Sequence, residues 1–155
     1  MASPPRQLIL DNVKTVFETI SIANGYKTNV ALVEKVIRDW QDVGPGDRPW
    51  IGFMPQLQLF EQYSFANLRV TLPILIAAHV MADTEALADT AITDIEDDII
   101  AALGLDTTRG GNATFTKLVS QQDDLGDPDS TDHNGAGGTL VIIANVVYHR
   151  GQGSS

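Results

Sequence analysis

Near the start of the chain, Leu8, Ile9, Val13, Val16, Phe17 and Ile20 recur at three- and four-residue steps. That spacing places them on one face of a helix, predicted over 6–23. Ser3 can cap it, Pro4 suits its first turn, and Asn24-Gly25 supplies a left-handed stop. From Val30 to Trp40 periodicity alone is ambiguous, because Leu32, Val33, Val36, Ile37 and Trp40 also fit a helical step. The β-branched residues and the Gly-Pro-Gly that follows favour a strand. Asp42 to Pro49 is a turn-rich loop. Trp50 to Phe60 reads as a second strand in which Pro55 marks an edge or a bulge, and 61–66 as a short polar connection.

The clearest pattern runs from Leu68 to Met81. Leu68, Val70, Leu72, Ile74, Ile76, Ala78 and Val80 alternate on one face, with Arg69, Thr71, Leu75 and His79 on the other. This is the period of a half-buried strand. Pro73 falls on the outward face, which suggests an exposed edge or a bend. Asp83 or Thr84 then caps a helix over 85–103. Its apolar stripe is Leu87, Ala91, Ile95, Ile99 and Leu103, flanked by Ile92 and Ile100. Asp89, Asp94, Glu96, Asp97 and Asp98 cover its other side, and Gly104 ends it. Further strands are predicted over 115–120 and 140–149, around a polar loop from Gln121 to Gly138. Strands joined by short connections pair antiparallel, and amphipathic helices bury their stripes on a sheet. The expected fold is therefore α+β: a two-layer, mostly antiparallel sheet of about five strands with two helices on one face. Residues 1–150 form a single domain on this reading, and 151–155 a flexible tail.

Composition narrows the function. With 155 residues, 43% of them apolar, the chain can build a core. It has no cysteine, which excludes disulfide scaffolds, thiolate metal sites and cysteine nucleophiles. No apolar run approaches the ~20 residues of a membrane span, and the N-terminus lacks a signal-peptide layout, so neither membrane contact nor export is expected. The net charge of −10 is unevenly placed. Residues 1–82 balance seven acids with seven bases; residues 83–155 hold thirteen acids and three bases, Arg109, Lys117 and Arg150. Without a basic cluster, binding to a phosphate backbone is disfavoured.

Candidate chemistry is sparse. There is no Walker loop, no GxGxxG, no HExxH and no GxSxG. Gly110, Gly111, Gly135, Gly137 and Gly138 have no following helix to complete a phosphate cradle. His79, His133 and His149 fit no ligand spacing and read as packing or hydrogen-bonding locally. Glu96, Asp97 and Asp98 fan out around a helix and cannot converge as an acid/base pair. Asp123 to Asp132 could offer carboxylates to calcium but lacks the EF-hand order, and reads more simply as a solvated loop. No catalytic residue, cofactor or metal is expected. The aromatic residues Trp40, Trp50, Phe53, Phe60, Tyr63 and Phe65 crowd around two Pro/Gly-rich joints. They can serve a core or a protein–protein interface.

Three passages together carry a resemblance. The first helix ends in Ala23-Asn24-Gly25-Tyr26-Lys27-Thr28. A strand and loop lead into Arg48-Pro49-Trp50-Ile51-Gly52-Phe53. The long strand through Leu72-Pro73-Ile74-Leu75-Ile76-Ala77-Ala78-His79-Val80 runs into the acidic helix, and the chain closes on an alternating strand from Leu140 to Tyr148. This layout resembles the tail terminator, or tail completion, proteins of long-tailed bacteriophages. The resemblance implies a non-enzymatic virion protein of the tail or neck, made in the bacterial cytoplasm. Such proteins form a hexameric ring on the head-proximal end of the tail tube. The ring stops tube polymerisation and offers a docking surface to the head–tail connector. The implied partners are further copies of the chain, the tail tube protein and the connector protein. DNA would pass through an acidic lumen without specific binding. The candidate interface residues are then Trp40, Asp47, Arg48, Trp50, Phe60 and Tyr63, with Asp123, Asp124, Asp127, Asp129 and Asp132. The alternatives are another neck, connector or tail-tube subunit, or a calcium-dependent binding module using Asp123 to Asp132.

Overall fold

Val70, Leu72, Ile74, Ile76, Ala78 and Val80 are all buried, as their alternation predicts. Each of the Val, Leu and Ile side chains among them contributes about 1.5–3 kcal/mol by leaving water. They lie on the central strand of a computed structural model that describes residues 5–64, 66–82, 84–124 and 136–151. The elements are α1 (Pro5–Glu18), β1 (Leu32–Glu34), β2 (Trp50–Pro55), β3 (Leu59–Ser64), β4 (Asn67–Ala82), α2 (Glu85–Leu105), β5 (Phe115–Asp124) and β6 (Ala136–Gly151). Single-turn helices occupy Ile22–Asn24, Trp40–Asp42 and Pro45–Asp47. The sheet has six strands in the order β1-β2-β4-β6-β5, with β3 also paired to β4. All pairings are antiparallel except β1 with β2. The α+β expectation holds, and both helices pack on one face.

The core gathers Ile9, Val13 and Phe17 from α1, Ile92, Ile95 and Ile99 from α2, and the inward residues of β2, β4 and β6. Leu87 of the expected α2 stripe and Ile100 on its flank are exposed instead. Ala88 and Ala102 take the buried positions, because small side chains let the helix approach the sheet. Thr84 is the cap of α2, its hydroxyl accepting from the Leu87 N–H at 3.2 Å. Ser3, Pro4 and Asp83 lie outside the described residues.

Several boundaries differ from expectation. The helix predicted over 6–23 stops at Glu18, and Gly25 in a left-handed conformation closes a separate turn at Ile22–Asn24. Only three residues of the 30–40 segment pair as a strand. The polar stretch at 61–64 is not a connection but most of β3. The two strands β2 and β3 both run antiparallel along the same side of β4. Their registers differ by one residue: Pro55 faces Ile74, whereas Leu59 faces Thr71. Gln56, Leu57 and Gln58 thus oppose Leu72 and Pro73, which is a bulge. The Pro73 carbonyl accepts from the Gln56 N–H at 2.8 Å, so the donor that proline lacks also faces this bulge. Pro73 therefore sits in a central strand, not at the expected edge, and the interruption opposite makes it tolerable. The predicted bulge at Pro55 is displaced by one residue, to its C-terminal side.

Gly104 does not end α2, which continues to Leu105. Arg109 performs the stop. Its guanidinium is fully buried and donates through Nη2 to the carbonyls of Leu103 and Asp106. A cation on the last carbonyls of a helix is favourable. Asp106 closes the same turn by accepting from the N–H groups of Thr108 and Gly110, each at 2.9 Å. Among the described residues no helix is long and apolar enough to cross a membrane.

Candidate functional site

The sheet face turned away from the helices is packed at one corner, where residues 35–49 fold over the start of β2. Trp50 begins β2 on this outward face, paired with His79 of β4. It is wholly buried, which places it in the packing of its own chain and not at an interface between chains. Its indole N–H donates to the Glu34 carboxylate at 2.9 Å. Arg38 grips the same carboxylate through Nε and Nη2 at 2.9 and 3.0 Å. These bonds, that from Arg38 first, hold the Glu34 pKa below its ordinary value.

His79 stacks on the Trp50 ring at 5.0 Å and meets the edge of Trp40 at 5.8 Å. Its Nε2 lies 2.7 Å from the Arg38 carbonyl, an acceptor only, so Nε2 carries the proton. Nδ1 lies 2.9 Å from the Thr139 hydroxyl, which can donate to it. Both ring nitrogens are engaged. Burial pushes its pKa down. The Arg48 guanidinium lies 3.4 Å from the Trp40 ring centre. Its Nη2 donates to the carbonyls of Trp40 and Val43 at 2.6 and 2.8 Å. Nε and Nη1 are buried without a partner among the described residues.

Two glycines make this corner possible. A Cβ on Gly52 would stand 2.1 Å from the Trp50 ring and 2.2 Å from the Val36 carbonyl. One on Gly137 would stand 1.9 Å from the Trp40 ring. Sequence reasoning weighed Gly137 only as part of a phosphate cradle; here it is a notch in β6 for an indole. A glycine inside a strand pattern is the signal for such close approach. The partners of His79 lie on distant segments, where a reading of local packing could not find them. Arg109 was not singled out, although the carbonyls it holds are only six and three residues away.

The rest of the outward face is open. Met54, Leu75 and Ile143 stand in one cross-strand row on β2, β4 and β6, each only partly covered. Leu57 in the bulge and Leu59 on β3 continue it, 83% and 59% exposed. Arg69 and Lys117 flank its far end, with the Arg69 guanidinium 5.9 Å from the Phe115 ring. Phe60 is also 59% exposed but points to the helix side, opposite Val70.

Of the expected interface residues, then, Trp40, Arg48 and Trp50 come together, with Asp47 exposed beside them. Phe60 lies apart from them on β3. Tyr63 belongs to β3, and Asp123 and Asp124 to the end of β5, by their backbones. Asp127, Asp129, Asp132, Phe65 and His133 lie outside the described residues. Among the described residues, no three His, Asp or Glu side chains converge as a metal site.

On the helix side, Asp98 is buried and its two oxygens receive the Lys27 N–H at 3.0 and 3.1 Å. Lys27 Nζ pairs with Asp97 at 2.8 Å. The two carboxylates thus diverge around α2 as expected, and together they dock the Asn24–Lys27 turn. A shallow pocket of about 340 Å³ beside this turn takes its charged lining from the same three residues. No protein-family model matches the chain, and a search of curated proteins returns no match.

Proposed function

We propose that the chain is a structural subunit of a bacteriophage tail, a terminator that caps the tail tube as a closed ring and receives the head connector. The observation that carries this reading is the open apolar row Met54–Leu75–Ile143 with Leu57 and Leu59 beside it. A contiguous exposed apolar surface on a small domain marks a protein contact. The β3 strand adds an edge whose outer side is unpaired among the described residues, a second place where protein can add. The element order that carries the family resemblance supports the same reading, since helix, strand and loop, long strand, acidic helix and final strand follow one another in the chain.

The test is solution mass by light scattering across protein concentration, with and without magnesium, followed by incubation with purified tail tubes. A discrete species of about 100 kDa, six copies of the 16.7 kDa chain, or saturable capping of tube ends, is the expected result. Open-ended growth would identify a tube subunit instead. A monomer that also ignores tube ends would overturn the reading.

A further inference from the structure

Two strands on opposite sides of the sheet have one bare edge each. β3 pairs with β4 alone and β5 with β6 alone, so each carries a row of backbone N–H and C=O groups without a strand partner among the described residues. Such edges are templates for pairing with another chain. Their side chains are uncovered on both faces. On the helix side, Phe60 of β3 and Leu118 of β5 are 59% and 37% exposed. On the outward face, Glu61 of β3 and Lys117 of β5 are exposed, and neither has an ion pair among the described residues. Arg69, opposite Glu61 on β4, is turned to the Phe115 ring instead.

We infer that β3 of one copy of this chain pairs with β5 of the next, joining successive sheets edge to edge. This rests on the reading of the chain as a ring subunit and names the seam that builds the ring. β3 and β5 run in opposite directions, because the three pairings that link them through β4 and β6 are all antiparallel. Copies related by a rotation that keeps strand direction therefore meet antiparallel. With Glu61 set opposite Lys117, Phe60 falls opposite Leu118 and Gln62 opposite Thr116, and each pair shares a face of the sheet. One pair is of opposite charge and one is apolar, combinations that stabilise neighbouring strands. Leu59, the β3 end of the open apolar row, meets Val119; they are 59% and 53% exposed. Val119 is the extra residue of the β5 bulge, where the ladder stops. Either edge pairing with its own counterpart gathers like charges, Glu61 with Glu61 or Lys117 with Lys117, which is unfavourable.

The register also sets a stagger. Glu61 is level with Arg69 on β4, whereas Lys117 is level with Pro73, four residues further along. Between one seam and the next each copy contributes the four strands β3, β4, β6 and β5. At about 3.4 Å per residue and about 4.8 Å per strand, the strands then tilt by about 35° from the ring axis. Closed sheets adopt tilts of about 35–45°. The seam joins different edges of the two copies, so it repeats head to tail and closes only as a ring.

The chain has no cysteine, so the seam can be read by cross-linking. Glu61 and Lys117 lie on opposite edges of their own sheet, beyond disulfide reach of each other. Glu61→Cys and Lys117→Cys proteins are prepared separately, mixed, and oxidised with a copper catalyst where the parent assembles, whether free in solution or on tube ends. The mixture should give a disulfide-linked species of twice the chain mass on a non-reducing gel, and neither variant alone should. Phe60→Asp, at an exposed position, should melt within a few degrees of the parent and fail to assemble where the parent does. If the parent assembles but the mixture does not cross-link, the inferred seam is wrong while the ring reading stands. The same holds if either variant cross-links alone as readily, or if Phe60→Asp assembles like the parent. A parent chain that never assembles and never binds tube ends overturns both.

Discussion

Gly137 lets the Trp40 ring lie against the β6 backbone, and a methyl group there has no space. Gly137→Ala should therefore lift residues 35–49 from the corner and cost about 1–3 kcal/mol, the usual penalty for overpacking. Urea denaturation measures the loss, and a red shift of tryptophan emission would report the opened corner. A second residue-level consequence concerns pH. His79 is held below its ordinary pKa by burial, so just under pH 6.5 the unfolded chain binds a proton that the folded chain refuses. Its contribution to stability is complete above about pH 6.5 and declines as the pH falls below it. The charged groups around it are Arg48, which opposes protonation, and Asp39, which favours it. Urea midpoints between pH 7.5 and 5 should fall, and the fall should be shallower in His79→Gln than in the parent. An equal slope in the two proteins would remove His79 from the account. Sequence inspection reads His79 as packing or bonding locally and cannot find its partners, because its bonds to Arg38 and Thr139 span 41 and 60 residues.

At the scale of elements, the Asn24–Lys27 turn is fastened to α2 by one buried carboxylate. Asp98→Ala would leave the Lys27 N–H without its acceptor, at a cost of about 1–3 kcal/mol. Hydrogen exchange should then quicken at Lys27 and along the following residues more than in β4, which separates local release from global loss. Elements with one wet and one dry face were legible: β4, β6 and α2 announce themselves by period. The elements that were not legible lack that contrast. In β3, Leu59, Phe60, Glu61 and Ser64 are all exposed, so no alternation marks it as a strand. β1 is short, and its parallel partner β2 lies across a loop that has no period at all. The end of α2 was misplaced because Gly104 is the local signal, whereas Arg109, five residues on, holds the carbonyls. Pro73 was read as an edge marker because the bulge that accommodates it belongs to another strand. Of the candidate interface, the sequence pointed to Trp40 and Arg48 but not to the row Met54–Leu75–Ile143. Those residues are apolar like the core, and only the position of the helices shows which face stays open.

For the whole molecule, the decisive quantity is the balance between contact and net charge. Each copy carries −10, and all of the excess lies in residues 83–155. Copies approaching one another therefore repel at long range, while the open apolar row Met54–Leu75–Ile143 can attract only at contact. Salt treats these two terms differently. The Debye length is about 30 Å at 0.01 M and about 8 Å at 0.15 M, so added salt removes the long-range repulsion first. Partly buried pairs at contact distance are screened much less. Apolar burial is little affected over this range. If the proposed ring forms, raising sodium chloride from 0.01 to 0.15 M should thus lower the protein concentration at which it appears by light scattering. Weaker assembly over the same interval would mean that exposed ion pairs, and not the apolar row, hold the copies together. Replacing Asp89 and Asp94 with Asn separates the cases further. Net repulsion falls by two charges per copy, so assembly at 0.01 M should improve if repulsion dominates and worsen if the pairs do.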